Sequence, residues 1–348
     1  MSFKNYMLSV MKDDRNDAPA RCLKVLLSFL SLFYAAAVKV VDLGYRSGLR
    51  RVHKVPGDVI SIGNITLGGT GKTPFTVFIA DKALSYGRKP AILIRGYGKD
   101  EDRMLLDELP DIRVIPGQDR VRNAAKASAE GCDLMILDDG FQHRRLARDL
   151  DIVLLDGTCW PGRAHLFPRG PLREPETALR RADVLVITRA DLMRPEDRAG
   201  LGERLRKSFP GKIIVSAGYK ALCLTDVTGC SYPVEMLKGT GVLPVCGIGN
   251  PFQFLHMLER LGCRFVSKKI YPDHYRYSRK DLDEIEGELS ATGARYLVTT
   301  AKDMTKLGEL DLSAFEEKIL VLKIAVKITE GEKELDAGLD SLFNGKRT

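Results

Sequence analysis

Paired cysteines are the first thing missing. The seven cysteines (Cys22, Cys132, Cys159, Cys223, Cys230, Cys246, Cys263) form no Cys-x-x-Cys pair and no cluster with metal-ligand spacing. Their scatter and odd number suit a reducing compartment, where they act as small core residues and not as a disulfide framework. There is no internal repeat and no low-complexity stretch. With 44% hydrophobic and 29% charged residues, long disorder is excluded. The uncharged run Val25–Val38 stops at fourteen residues, short of the roughly 18–20 that span a bilayer. Acid is scarce beside it: from Arg21 to Lys54 seven Lys/Arg face Asp42 alone. The formal charge of +8 points to an anionic partner, without choosing among nucleic acid, acidic lipid and a phosphorylated substrate. A chain of 348 residues suffices for one large α/β domain or two ordinary ones.

What is present is organised around Gly63-Asn64-Ile65-Thr66-Leu67-Gly68-Gly69-Thr70-Gly71-Lys72-Thr73-Pro74. A short β-type run precedes it and a helical pattern follows, which is the layout of a phosphate-binding loop. Glycines let successive backbone N–H groups converge on phosphate oxygens. Lys72 would reach the β- and γ-phosphates and the Thr73 hydroxyl would sit on Mg²⁺, with the helix N-terminus adding its positive dipole end. Thr66 stands where the strict pattern has its first glycine.

Residues 1–20 are polar and mixed in charge and read as a loosely ordered lead-in, too polar for a signal peptide. In the stretch that follows, Arg21, Lys24, Ser28, Ser31, Ala35, Lys39 and Asp42 recur every three or four residues and form one narrow polar stripe. Leu23, Leu26, Leu27, Leu30, Phe33, Tyr34 and Val38 cover the wide remainder, and Arg46, Arg50, Arg51 and Lys54 add a basic collar. This pattern suits a helix lying in a membrane interface; a helix buried on the domain with Lys39 snorkelling is the alternative.

Beyond Asp58, apolar strands alternate with helical segments. The strands expected are 59–62, 91–95, 113–115, 134–137, 152–155, 184–188 and 213–215, with helices at 76–85, 120–130 and 196–208. That alternation indicates a mostly parallel sheet with helices on both faces, whose ligands bind at the carboxyl ends of strands. Regularity fades around 220–240. A second, smaller α/β run follows, with strands at 242–247, 265–269 and 296–299 and helices at 251–261 and 279–292. The expected division is an N-terminal helix and collar (1–55), a P-loop core (56–222), a smaller α/β domain (223–310) and a C-terminal segment packing back (311–348).

Further chemistry sits near strand ends. Asp138-Asp139 closes the apolar strand after Cys132, and adjacent carboxylates there favour a cation over a solvated turn. Arg95-Gly96-Tyr97-Gly98, Gln142-His143-Arg144-Arg145 and Arg169-Gly170-Pro171-Leu172-Arg173-Glu174 could each face an anionic ligand. Asp100-Glu101-Asp102 could supply a base, and His274 lies in the polar run Tyr271-Pro272-Asp273-His274-Tyr275. Thr188-Arg189-Ala190-Asp191 resembles the guanine-reading motif of P-loop GTPases and metallochaperone-like switches, but Arg189 replaces its lysine, and Leu137 stands where such a switch carries Asp.

Taken together, these motifs resemble the tetraacyldisaccharide 4'-kinases of lipid A biosynthesis. The matching pieces run in order: residues 63–74, Ile-Arg-Gly-Tyr-Gly (94–98), Asp-Asp-Gly-Phe-Gln-His (138–143), Gly-Pro-Leu-Arg-Glu (170–174), Cys-Gly-Ile-Gly-Asn-Pro (246–251), Pro-Asp-His-Tyr (272–275) and Thr-Ala-Lys-Asp (300–303). Thr66 is normal for that family. The resemblance implies a P-loop NTPase-like fold and transfer of the ATP γ-phosphate to the 4'-hydroxyl of a tetraacylated glucosamine disaccharide 1-phosphate, at the cytoplasmic face of the bacterial inner membrane. It implies no nucleic-acid partner. Carried over residue by residue, Thr66, Gly68, Gly69, Thr70, Gly71, Lys72 and Thr73 hold the nucleotide, and Thr73, Asp138 and Glu101 hold Mg²⁺. Asp100 is the base, oriented by His274, and Asp139 and Lys72 complete the catalytic group. Asn64, Arg95, Gln142, Arg173 and Glu174 line the acceptor side. The segment that usually precedes the Asp-Glu pair is nearly absent here, and Lys99 takes the place of a usual Gly or Asn, so Asp102 stays open as a rival base.

Overall fold

The computed structural model describes residues 3–11, 13–96, 109, 111–160, 165–315 and 318–344. Asp100, Glu101 and Asp102 lie outside them. Two helices open the chain, α1 (Phe3–Met11) and α2 (Ala18–Arg46). The lead-in is therefore not loose: Tyr6, Met7 and Val10 pack on Ala20, Leu23 and Leu27 of α2. These apolar residues are too widely spaced in a polar stretch to stand out by composition.

One continuous sheet follows, built from β1 (Asp58–Gly63), β2 (Pro90–Ile94), β3 (Arg113–Pro116), β4 (Leu134–Asp138), β5 (Leu150–Asp156), β6 (Val184–Thr188), β7 (Ile213–Thr225), β8 (Ser231–Tyr232), β9 (Gly241–Cys246), β10 (Arg264–Phe265), β11 (Lys269–Ile270), β12 (Tyr296–Thr300) and β13 (Ile319–Glu330). The strand order is β10-β9-β12-β13-β7-β6-β5-β1-β4-β2-β3, with β11 beside β9 and β8 beside β7. Neighbours pair in parallel except at β7 with β13 and β8. The run expected as one strand at 265–269 is two short ones, β10 and β11, both paired with β9.

The apolar runs fill both faces because successive side chains point to opposite sides. Ile60, Ile62, Ile92, Leu134, Ile136, Ile152 and Leu154 pack under α3 (Lys72–Ser85) and against Leu335, Leu339 and Phe343 of the last helix. The alternate residues Val59, Ala91, Leu93, Met135 and Leu137 cover the helix Arg120–Ala129. A strand buried on both faces has to read as continuously apolar.

The second half has its own two clusters, around Leu243, Val245 and Ile285 and around Val242, Val298 and Phe254. Its sheet nevertheless joins the first half through the antiparallel β7–β13 ladder. The C-terminal segment thus adds a strand to the sheet and a helix to the first core.

Helix α2 orients opposite to a soluble amphipathic helix. Val25, Phe29, Leu32 and Phe33 are 73%, 57%, 66% and 63% exposed, while Lys24, Ser31 and Asp42 of the polar stripe turn inward together with Tyr34, which the sequence pattern puts on the apolar side; Arg21, Ser28 and Lys39 stay exposed. Ser31 Oγ lies 2.9 Å from the Leu166 carbonyl, Lys24 pairs with Asp13 at 2.7 Å, and Asp42 pairs with Arg144 at 2.8 Å. At 29 residues α2 is long and apolar enough to cross a bilayer. Polar contacts at Ser31, Tyr34 and Asp42 dock it on the body. That outward apolar face rules out the buried-helix alternative.

Candidate active site

β1 ends at Gly63, where a Cβ would fall 2.6 Å from the Phe141 Cβ and 2.7 Å from its backbone N. Only glycine lets β1 and the Asp-Asp-Gly turn approach this closely. The chain then turns through residues 64–71 into α3. Asn64 is fully buried, and its amide donates to Thr70 Oγ1 at 3.0 Å, so it braces the loop from beneath. Thr66 bridges to Leu172, Leu67 N donates to the Pro171 carbonyl at 2.7 Å, and Arg173 N donates to the Ile65 carbonyl at 2.7 Å. The loop therefore rests on the segment 165–174. Gly68 and Gly69 are exposed and open. Gly71 caps α3 in the left-handed region at φ +85°, with the Tyr219 hydroxyl packed where a Cβ would go. Lys72 and Thr73 begin α3, at whose N-terminus the amides have no intrahelical partners.

Asp138 and Asp139 enter on the neighbouring strand. β4 pairs in parallel with β1, Ile62 opposite Asp138, so both carboxylates arrive beside the start of the loop. Asp139 adopts φ +52°, a region costly for a residue with a Cβ. Cations hold the turn there. Lys72 Nζ is 3.5 Å from Asp139 Oδ1, and Arg173 Nη1 donates to both its carboxylate oxygens at 3.1 and 3.0 Å. Burial raises the Asp139 carboxyl, but Lys72 and Arg173, with Arg120 behind, outweigh it and hold the group below the usual carboxylate range. Buried Arg120 donates to the Asp139 carbonyl at 3.0 Å, and Arg148 donates to those of Gly140 and Phe141 at 2.9 and 3.2 Å.

The donor set fits Mg²⁺. Thr73 and Asp138 offer hard oxygen ligands, and among the described residues no three His, Cys, Asp or Glu side chains form a cage. Such sparseness suits an ion that keeps waters and takes nucleotide phosphates as ligands. Glu101 lies outside the described residues.

Among the residues expected to line the acceptor, Gln142 Nε2 donates to the Asn64 carbonyl at 2.9 Å and to Glu174 at 3.0 Å, and Arg181 pairs with Glu174 at 2.9 Å. Arg95 is exposed just beyond β2. His274 lies at φ +60° in the distant-sequence segment after β11, exposed, with Asp273 3.7 Å away. Asp273 in turn pairs with Lys302 at 3.1 Å, which brings the Pro-Asp-His-Tyr and Thr-Ala-Lys-Asp pieces together.

Three arginines of this region carried no signal of a role. Sequence reasoning assigned no role to Arg120 and Arg148, which only the fold turns inward. Arg189 read as a flawed guanine motif. It is instead a clamp, donating to the Gly69 carbonyl at 2.6 Å and to Gln253 at 3.1 Å and pairing with Asp156.

The chain resembles known proteins over most of its length. A family model described as tetraacyldisaccharide-1-P 4'-kinase matches residues 23–344. The tetraacyldisaccharide 4'-kinase of Anaeromyxobacter sp. (strain K) is 34% identical over 332 residues, covering 88% of each chain. That of Syntrophus aciditrophicus is 36% identical over 337 residues, covering 87% of this chain and 89% of its own. The crystal structure of LpxK from Aquifex aeolicus, an "apo" form in complex with ATP, superposes with a TM-score of 0.74 at 29% identity, over 92% of this chain and 99% of that one. With a phosphate loop, a paired-aspartate strand and a matching fold over nearly its whole length, this chain belongs to the tetraacyldisaccharide-1-P 4'-kinase family, the kinases of lipid A biosynthesis.

Proposed function

We propose that this kinase transfers the γ-phosphate of ATP to the 4'-hydroxyl of a tetraacylated glucosamine disaccharide 1-phosphate, at the cytoplasmic face of the inner membrane. The observation that carries the reading is the convergence of Lys72, Thr73, Asp138, Asp139 and Arg173 beside a helix whose apolar face is exposed. Phosphoryl transfer needs alignment and charge neutralisation more than covalent chemistry.

In this scheme Lys72 and the backbone of Thr66–Thr73 cradle the β- and γ-phosphates, and Arg189 keeps the Gly69 peptide turned for them. Thr73 and Asp138, with Glu101, would hold Mg²⁺, which would supply charge neutralisation for the transfer. Asp139 anchors Lys72 and Arg173. Asp100 takes the sugar hydroxyl's proton, with His274 orienting it and Asp102 as the rival. Arg95, Gln142, Arg173 and Glu174 face the acceptor, with Asn64 bracing the loop below. The outward face of α2 and the basic collar hold the site at an anionic membrane, where the acyl chains of the acceptor reside. The four-part domain division remains part of this proposal, with the core at 56–222 serving the nucleotide and 223–310 bringing His274.

Transfer of labelled phosphate from ATP to the lipid A disaccharide precursor tests the reading. Activity should nearly vanish in Lys72→Ala and Asp138→Ala. Strong preference for GTP over ATP, or no transfer to lipid, would remove it. A larger kcat loss for Asp102→Ala than for Asp100→Ala would reassign the base.

A further inference from the structure

Helix α2 touches the catalytic site directly, through the segment that carries Arg173. The Tyr34 hydroxyl donates to the Arg173 carbonyl at 2.8 Å, and its ring meets Phe167 edge-on at 5.7 Å. Ser31, one turn earlier, sits 2.9 Å from the Leu166 carbonyl and accepts from Arg169 N at 3.0 Å. Asp13, just before α2, takes Arg169 at 2.6 Å and Lys24 at 2.7 Å. The far side of the same segment supports the phosphate loop by the Leu67–Pro171 and Ile65–Arg173 hydrogen bonds, and its Arg173 guanidinium holds Asp139. A single strap of ten residues, 165–174, thus has the membrane-facing helix on one side and the phosphate loop on the other.

We infer that Tyr34 is a positioning residue for phosphoryl transfer: its hydrogen bond to the Arg173 carbonyl fixes the strap, and so aligns Arg173 and the phosphate loop. The body-facing side of α2, where Tyr34 joins Ser31, is then the device that ties helix placement to site geometry, while the outward apolar face does the membrane binding. The kinetic part of this inference rests on the proposed kinase reaction.

The test is Tyr34→Phe, which removes one hydroxyl and keeps the ring against Phe167. Two measurements are made on the full chain. Amide exchange without substrate should quicken at Leu67 and Arg173, whose N–H groups span strap and loop. In detergent-solubilised lipid assays, kcat should fall about five- to tenfold, the range of one well-aligned hydrogen bond, with KM for ATP, melting temperature and partition onto anionic phospholipid vesicles unchanged. The control Phe29→Ser/Phe33→Ser should lose vesicle partition and leave amide exchange at Leu67 and Arg173 as in the parent chain. Unchanged exchange and kcat in Tyr34→Phe would overturn the inference. If the parent chain transfers no phosphate, the kinase reading fails, and the exchange rates alone decide whether the strap is tied to Tyr34.

Discussion

Lys72 Nζ lies 3.5 Å from Asp139 Oδ1, so the lysine expected on nucleotide phosphates rests on the carboxylate of the neighbouring strand. Asp139 thereby keeps a partly buried ammonium in place and in line with the loop. Removing Lys72 should cost about 10²–10³-fold in kcat/KM, as for loss of one preorganised charge donor. Asp139→Asn should also lower it. Because both changes break the same ion pair, the double variant should lose less than the product of the two single losses. Steady-state kinetics of the four proteins measures this, and strictly multiplicative losses would show that the pair does not act as a unit.

Arg189 ties three parts of the chain: the phosphate loop at Gly69, the end of β5 at Asp156, and Gln253 in the helix Pro251–Arg260. Both ion-pair partners are nearly buried. Arg189→Met strands the Asp156 carboxylate and should cost about 3–5 kcal/mol, read as a lowered melting temperature at fixed protein concentration. Adding Asp156→Leu should restore most of it. A single-variant loss below about 1 kcal/mol, the worth of a surface pair, would show that the clamp is solvated.

The outward side chains Val25, Phe29, Leu32 and Phe33 have no protein partner to bury them among the described residues, apart from the Phe29–Phe33 contact at 5.1 Å. Phe29→Ser and Phe33→Ser should each weaken binding to anionic vesicles at least roughly tenfold, since burying one such ring yields about 1.5–3 kcal/mol. Sedimentation with vesicles measures the effect. Deleting the helix would be a poorer experiment, because Ser31 and Tyr34 go with it and the strap loses its seat.

His143 follows the paired-aspartate turn. Burial first, then Arg120, Arg148 and Arg145, push it down to about 4. An unfolded histidine titrates near 6.5, so between these values the unfolded chain binds a proton that the folded chain refuses. The stabilisation from neutral His143 is therefore full above pH 6.5 and is lost as pH falls toward 4. His143→Gln should flatten that limb of the melting-temperature profile. An unchanged slope would mean that the imidazole is not excluded from charging.

Much of the site is legible in the chain itself. A glycine-rich turn between an apolar strand and a helix carries its own local physics, and so does a strand ending in two aspartates. Lys72, Thr73, Asp138 and Asp139 therefore declare their neighbourhood without any tertiary knowledge. The continuous apolar strands likewise announce a sheet covered on both faces, because each alternate residue must be buried.

Residues whose role depends on a distant partner declare nothing. Ile319–Glu330 opens on four apolar residues and is rich in Ile and Val, yet only the fold shows that it pairs antiparallel with an extended β7 and joins the two halves. Arg120, Arg148 and Arg189 have the composition of surface charges, and burial is conferred by elements far away in sequence. The polar stripe of α2 was readable as a stripe. Which way it faces was not, because a periodic pattern defines two sides of a helix but not what lies on each. Local residue patterns suffice for the phosphate-loop motif and for an amphipathic helix ahead of it. Only the fold sets which residues of that helix turn inward, because Ser31 and Tyr34, drawn from different sides of the periodic pattern, find their backbone partners over a hundred residues away.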